Sequence, residues 1–300
     1  MSVPESAPTP DQPVFDAAAA DPEATAQAVV AARPAAPEHA DLALLHTLAP
    51  DLHQPVFALF TSLADNKYVL GRRYAEWCTG APLLESAVAA AAMAQDELGH
   101  ARSFYPVLRS FLGLRLRLRI PSADHELPSM EDKGWQTRPT SAVACLDRRF
   151  GAWADFVAAN VLVDTALTTL FAAGVDSPYE PLRQRARKIV QEEAAHWVHG
   201  SGWLRRLAGS PRIETAFASM WDDALTWFGR ADDPTLAPLA AAGLLAEGPD
   251  DLRHRLRSRL QPLLEETGLA GLLDRPLPWR RWDPAARRLI QKTQTNTASS

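Results

Sequence analysis

Gln95-Asp96-Glu97-Leu98-Gly99-His100 and Gln191-Glu192-Glu193-Ala194-Ala195-His196 are two copies of one pattern: Gln, acid, Glu, two small or apolar residues, His. Residues three apart lie on one face of a helix. Glu97 and His100 therefore point the same way, as do Glu193 and His196. In one type of four-helix bundle, two facing Glu-x-x-His helices hold a pair of iron or manganese ions, and each of the other two helices adds a carboxylate. Chance gives roughly one Glu-x-x-His or fewer in such a chain. Two copies, both mid-helix and both preceded by Gln-acid, carry more information.

Working outward, an apolar stripe of Val56, Leu59, Phe60, Leu63, Leu70 and Tyr74 predicts a helix over Gln54 to Trp77. Thr79-Gly80-Ala81-Pro82 stops it, and an Ala-rich helix is expected from Leu83 to Leu112, with Pro106 kinking it or limiting its last turns. Leu114-Arg115-Leu116-Arg117-Leu118-Arg119-Ile120 alternates with period two and reads as a short extended segment. Its arginines are either a solvated edge or a grip for phosphates or an acidic partner. The Pro-containing stretch to Pro139 reads as the long crossover between the two halves of a bundle. A third helix is expected over Ser141 to Ala173, a fourth over Tyr179 to Leu207, a fifth over Ile213 to Phe228 and a weaker one over Asp251 to Glu266.

The expected class is all-α: a ferritin-like four-helix bundle (41–267) with extra C-terminal helices. A disordered Pro/Ala-rich tail (1–40) precedes it and a C-terminal tail (268–300) follows. At 300 residues and 47% hydrophobic the chain can bury a large core, and a net charge of −5 gives no general reason for nucleic-acid binding. Two cysteines, Cys78 and Cys145, make a disulfide framework unexpected. No signal peptide is recognised, and no apolar run is expected to span a bilayer, so the expected location is the cytoplasm. No Walker A loop, nucleophile elbow or Cys-x-x-Cys is present.

Candidate metal ligands are Glu97, His100, Asp164, Glu193 and His196, with Asp164 sitting among apolar residues of the third helix. Imidazole suits iron and carboxylates suit harder ions such as manganese. The rival reading is a buried polar network in which acids and imidazoles satisfy one another. The first helix decides between them. Asp164 precedes Glu193 by 29 residues, and 29 before Glu97 is Tyr68, give or take one. Asp65 misses that window and lies about 200° around the helix from Lys67, at ~100° per residue, so it is a poor sixth ligand. Lys67 fits both window and stripe, so an ammonium stands where a ligand is expected, able to neutralise Glu97 or Asp164. The competing reading is that Lys67 snorkels to solvent. His199 is a candidate partner of His196 in an outer layer.

Leu63-Ala64-Asp65-Asn66-Lys67-Tyr68-Val69-Leu70-Gly71, Glu76-Trp77, Ala81-Pro82 and Ala94-Gln95-Asp96-Glu97-Leu98-Gly99-His100-Ala101-Arg102 resemble the C subunits of bacterial phenylacetyl-CoA epoxidase, the PaaC family. The resemblance covers about Val56 to Phe228. It implies a ferritin-like bundle and a part in aerobic phenylacetate breakdown, within a multicomponent monooxygenase that forms a ring epoxide on phenylacetyl-CoA. It further implies, as partners, a catalytic A subunit that holds the di-iron centre, small partner subunits, and a flavin and iron–sulfur reductase. The C subunit itself then has a structural role. Both Glu-x-x-His pairs are intact here, unlike the usual C subunit. The family's Glu-Met-Gln C-terminal signature is replaced by Arg275-Pro276-Leu277-Pro278-Trp279-Arg280. Three readings follow: a non-catalytic subunit of such an oxygenase, an active di-iron or di-manganese oxygenase or oxidase on another substrate, and an iron-storage bundle.

Overall fold

A computed structural model describes residues 45–118 and 140–290, without the side chains of 112–118. The expected N-terminal tail, most of the crossover and the last ten residues lie outside the described residues. Four long helices make the bundle: α1 (His53–Ala75), α2 (Leu84–Leu118), α3 (Trp153–Ala173) and α4 (Glu180–Leu207). Three more follow, α5 (Pro211–Thr226), α6 (Leu236–Ala241) and α7 (Pro249–Glu266). Proline opens α5 and α7 and is the second residue of α4, positions where its missing N–H costs nothing. Gly209 and Gly268 stop α4 and α7 with positive φ, which ends a helix at no side-chain cost.

The helices within each half are antiparallel neighbours. Phe60 packs edge-on to Phe104 across α1 and α2. Trp153 meets Trp203 across α3 and α4. The halves join along α2 and α4, where Trp203 Nε1 donates to Ser86 Oγ at 3.1 Å and Arg185 Nε to the Ser103 carbonyl at 2.8 Å. Close approach needs small residues. A Cβ on Gly71 would stand 2.9 Å from Glu97 Cβ and 3.2 Å from the Ala94 carbonyl oxygen. The buried alanines Ala90, Ala94 and Ala101 line the α2 side. α5 packs on the first part of α3, α7 on its last part and α6 on α1.

Several boundaries differ from the sequence expectation. α2 continues through Leu118, so Leu114 to Leu118 are helical rather than extended. Leu and Arg are both strong helix formers, and here propensity outweighs the period-two pattern. Pro106 lies inside α2 without ending it. The third helix starts at Trp153, not Ser141. Before it, residues 141–144 are held by long-range bonds: Ser141 N–H to Asp65 Oδ2 (2.7 Å), Val143 N–H to Asn66 Oδ1 (3.0 Å) and Ala144 N–H to Asp223 Oδ1 (3.1 Å). A short 3-10 turn, Ala144–Asp147, follows, and the chain then runs in irregular backbone to α3. α3 is long and apolar enough to span a membrane, contrary to expectation, but 89% of its most apolar window is buried inside the bundle. Part of the stretch after Gly268 is folded: Trp282–Asp283 and Arg288–Leu289 form a two-strand hairpin. Arg287 there is buried, donating to Asp233 at 2.7 Å and to the Trp227 carbonyl at 2.7 Å.

Candidate functional site

Lys67, on the inner face of α1, is fully buried at the centre of the bundle. Its ammonium donates to Glu97 Oε1 (2.9 Å, α2), Asp164 Oδ1 (2.8 Å, α3) and Glu193 Oε1 (2.5 Å, α4). Each of the four helices thus contributes one charged side chain, and the lysine's three protons match three carboxylates. Solvent does not reach the ammonium, so it does not snorkel.

His196 completes the group. Its Nδ1 lies 3.0 Å from Asp164 Oδ2, 3.0 Å from Glu193 Oε2 and 3.5 Å from Glu97 Oε1. Glu97, Asp164, Glu193 and His196 each offer a ligand atom within 4.8 Å of the others'. By donor type and spacing these four could hold a metal ion. His100, the fifth candidate, sits at the edge, with Nδ1 3.4 Å from Glu193 Oε1 and Nε2 2.7 Å from Glu192 Oε2. Asp65 is elsewhere, its Oδ2 on the Ser141 N–H. His199 packs edge-on against Trp153 and Phe156, with no hydrogen-bond partner for either ring nitrogen among the described residues.

Three contributors were not singled out from sequence. Asp96 reaches across to His196 Nε2 at 3.4 Å, and Glu192 reaches across to His100. The acid before each motif glutamate therefore serves the other motif's histidine, and its repetition in both copies was the signal. Asn160 donates to Asp164 Oδ2 at 3.3 Å from the π-helical turn Ala159–Asp164 inside α3. A Cβ on Gly200 would fall 2.1 Å from Asn160 Oδ1, so glycine gives Asn160 its room.

The electrostatics are those of a closed, internally compensated cluster. Burial would depress the Lys67 ammonium, but Asp164, Glu193 and Glu97 outweigh it and hold it well above its ordinary value. Burial works against the charged imidazolium of His196 too, and its bonds to Asp164, Glu193 and Glu97 raise it. Glu193 is pulled well below the usual carboxylate range: burial pushes it up, but Lys67 and the two imidazoles prevail. Burial, then Asp164, push Glu97 up toward the protonated acid against the pull of Lys67. The cavity touching the cluster, beside Asn160, Thr165 and Trp197, is about 10 Å³, room for one water at most. The Arg259 guanidinium lies over the Trp197 ring at 4.6 Å on that side.

Fold and site together define a ferritin-like bundle in which the dinuclear-metal donor pattern is built around a buried ammonium. Residues 46–283 match the family model described as Phenylacetic acid catabolic protein, and the chain belongs to that family. It is similar to the C subunit of 1,2-phenylacetyl-CoA epoxidase from Escherichia coli (strain K12), with 28% identity over 164 residues, which are 53% of this chain and 62% of that protein. The chain thus spans somewhat less than two thirds of the length of that curated relative.

Proposed function

We propose that this chain is a structural, non-catalytic subunit of a cytoplasmic multicomponent di-iron monooxygenase that epoxidises phenylacetyl-CoA in phenylacetate breakdown. The observation that carries the reading is the Lys67 ammonium on Glu97, Asp164 and Glu193 at 2.5–2.9 Å. A divalent pair bound by those carboxylates would compete with it for the same oxygens. Like charges in a buried space repel strongly, so the residues as arranged do not fit a di-metal centre. The small cavity beside the cluster leaves no room for an aromatic substrate. In this role the bundle's rigidity scaffolds a catalytic partner and shapes its substrate channel. Exposed Leu84 and Val88 on α2 and Val198 on α4 are apolar surface that a partner protein would cover.

A second reading rests on the donor set itself. Both Glu-x-x-His pairs are intact, and with Lys67 displaced the ligands Glu97, His100, Asp164, Glu193 and His196 would remain for iron or manganese, whose chemistry there would be dioxygen activation. Metal analysis of the purified chain, with Glu97→Ala and Glu193→Ala beside it, separates the two. The structural reading expects no stoichiometric iron or manganese. About two ions per chain, lost in both variants, would replace it with the second.

A further inference from the structure

Near the start of α3 lies a cavity of about 480 Å³ that shares no lining residue with the one beside the charge cluster. Three separate stretches of the chain build it. Ala144, Cys145 and Phe150 come from the stretch before α3, Asp155 from its first turn, Ser219, Met220 and Asp223 from α5, and Arg281 from the C-terminal hairpin region. Arg148 and Arg149 complete the wall.

The charges at this cavity do not cancel. Arg148 makes no ion pair or hydrogen bond among the described residues. Arg149, 85% exposed, meets Glu76 only through Nε at 3.5 Å. Arg281 spends Nε on the Ile290 carbonyl at 3.0 Å, leaving its terminal nitrogens without a partner among the described residues. Three guanidinium groups face two carboxylates in the lining, and each carboxylate has one oxygen occupied by backbone N–H groups. Asp155 Oδ2 accepts from the Gly151 and Ala152 N–H groups at 2.9 and 3.0 Å, and Asp223 Oδ1 from Ala144 N–H. Phe150 and Met220, both buried, add an apolar wall.

We propose that this cavity binds a small organic phosphate of the nucleotide class, its phosphate held by Arg148, Arg149 and Arg281 and its ring lying along Phe150 and Met220. One guanidinium satisfies a carboxylate in a two-point pair, whereas a phosphate offers more oxygens and takes several. The volume falls in the range of small-molecule sites, roughly 300–1,000 Å³, and a free phosphate would leave most of it unfilled. Asp223 Oδ2, which accepts no hydrogen bond among the described residues, supplies an acceptor for an amino group on the ring. The inference is independent of the structural role proposed above.

Titration calorimetry of the full chain with ADP, inorganic phosphate and phenylacetate at fixed ionic strength tests it. ADP is expected to bind at least about tenfold more tightly than either other probe. Arg148→Glu with Arg149→Glu, on exposed side chains, is expected to weaken ADP by at least about tenfold at unchanged Tm. Ser219→Trp fills the cavity and is expected to abolish the ADP preference while sparing inorganic phosphate; it carries the test by itself if the double variant unfolds. Equal affinity for ADP and phosphate would reduce the site to a free-phosphate patch and overturn the proposal. Undiminished ADP binding in the folded variants, or no binding of ADP at millimolar concentration, overturns it as well.

Discussion

The α1–α2 hairpin brings Glu97 and His100 to the bundle centre from its second helix and Lys67 from its first. The α3–α4 hairpin brings Glu193 and His196 from its second helix and Asp164 from its first. The hairpins agree in the acids that cross to each other's histidine, Asp96 and Glu192. They agree also in a glycine that lets helices close up beside the cluster, Gly71 in one and Gly200 in the other. They differ in the sign of one charge. Repetition of a motif places the donors, and a single residue on the facing helix sets an ammonium among them.

The largest test removes that charge. Lys67→Met keeps the length and apolar stem but leaves Glu97, Asp164 and Glu193 buried without their shared cation. Breaking a buried charge pair from one side costs about 3–5 kcal/mol, and urea unfolding at pH 7.5 should show a loss of that size. Asp164→Asn, the matching change in the other hairpin, should cost less, because Glu97 is held toward its protonated form and can ionise to replace the lost charge. A Lys67→Met loss no greater than that of Asp164→Asn would mean that the ammonium does not organise the cluster.

Making the hairpins alike is the next test. Lys67→Glu gives each first helix an acid, so the cluster loses its ammonium and sets a fourth carboxylate against the His196 imidazole. The variant should be less stable than the wild type in chelator and regain stability with manganese or ferrous iron, by about 2.7 kcal/mol at a hundredfold excess over Kd. The wild type should show no such gain. Thermal melts with and without metal read both. Equal responses in the two proteins would show that Lys67 does not bar a metal.

Much of this was legible before the structure because it depends on spacing. The helical periods and the repeated motif place Glu97, His100, Glu193 and His196, and the offset between the hairpins points to Lys67 rather than Asp65. What was not legible depends on distant partners. Asp65, Asn66 and Asp223 anchor the irregular stretch before α3 through the N–H groups of Ser141, Val143 and Ala144, and nothing in the local pattern records that. Leu114 to Leu118 misled for another reason: alternation and propensity disagree there, and the backbone is helical. The short α6 and the hairpin after Gly268 have too few residues to show a period.

A third test concerns how closely the helices must approach. Gly71→Ala puts its Cβ within 2.9 Å of Glu97 Cβ and 3.2 Å of the Ala94 carbonyl oxygen, atoms close to or on the backbone that cannot swing aside. Overpacking of this kind costs about 1–3 kcal/mol. Because Glu97 would be displaced, Lys67→Met and Gly71→Ala together should cost less than the sum of the two single losses, as expected for neighbours that share a partner. Strict additivity in a double-mutant cycle would place Gly71 outside the cluster's support.

The smallest expected effect lies one turn beyond the motif histidines. Ser103 follows His100 by three residues and turns its hydroxyl back to the His100 carbonyl at 2.6 Å. His199 stands at the same place after His196, with both ring nitrogens unpartnered among the described residues. Burial, and then the charge on His196, hold His199 below its ordinary value. The folded chain therefore binds fewer protons at this residue than the unfolded chain as pH falls below about 6.5. Stability is fully present above that pH and declines as pH falls through the lowered folded-state value. His199→Ser, which makes the two hairpins alike at this position, loses ring contacts with Trp153 and Phe156 and should be somewhat less stable at pH 7.5. The deficit should shrink between pH 7 and 5, since the variant lacks the proton-linked penalty. Urea unfolding at several pH values reads this slope, and a deficit constant with pH would mean that His199 titrates in the fold as it does in the unfolded chain.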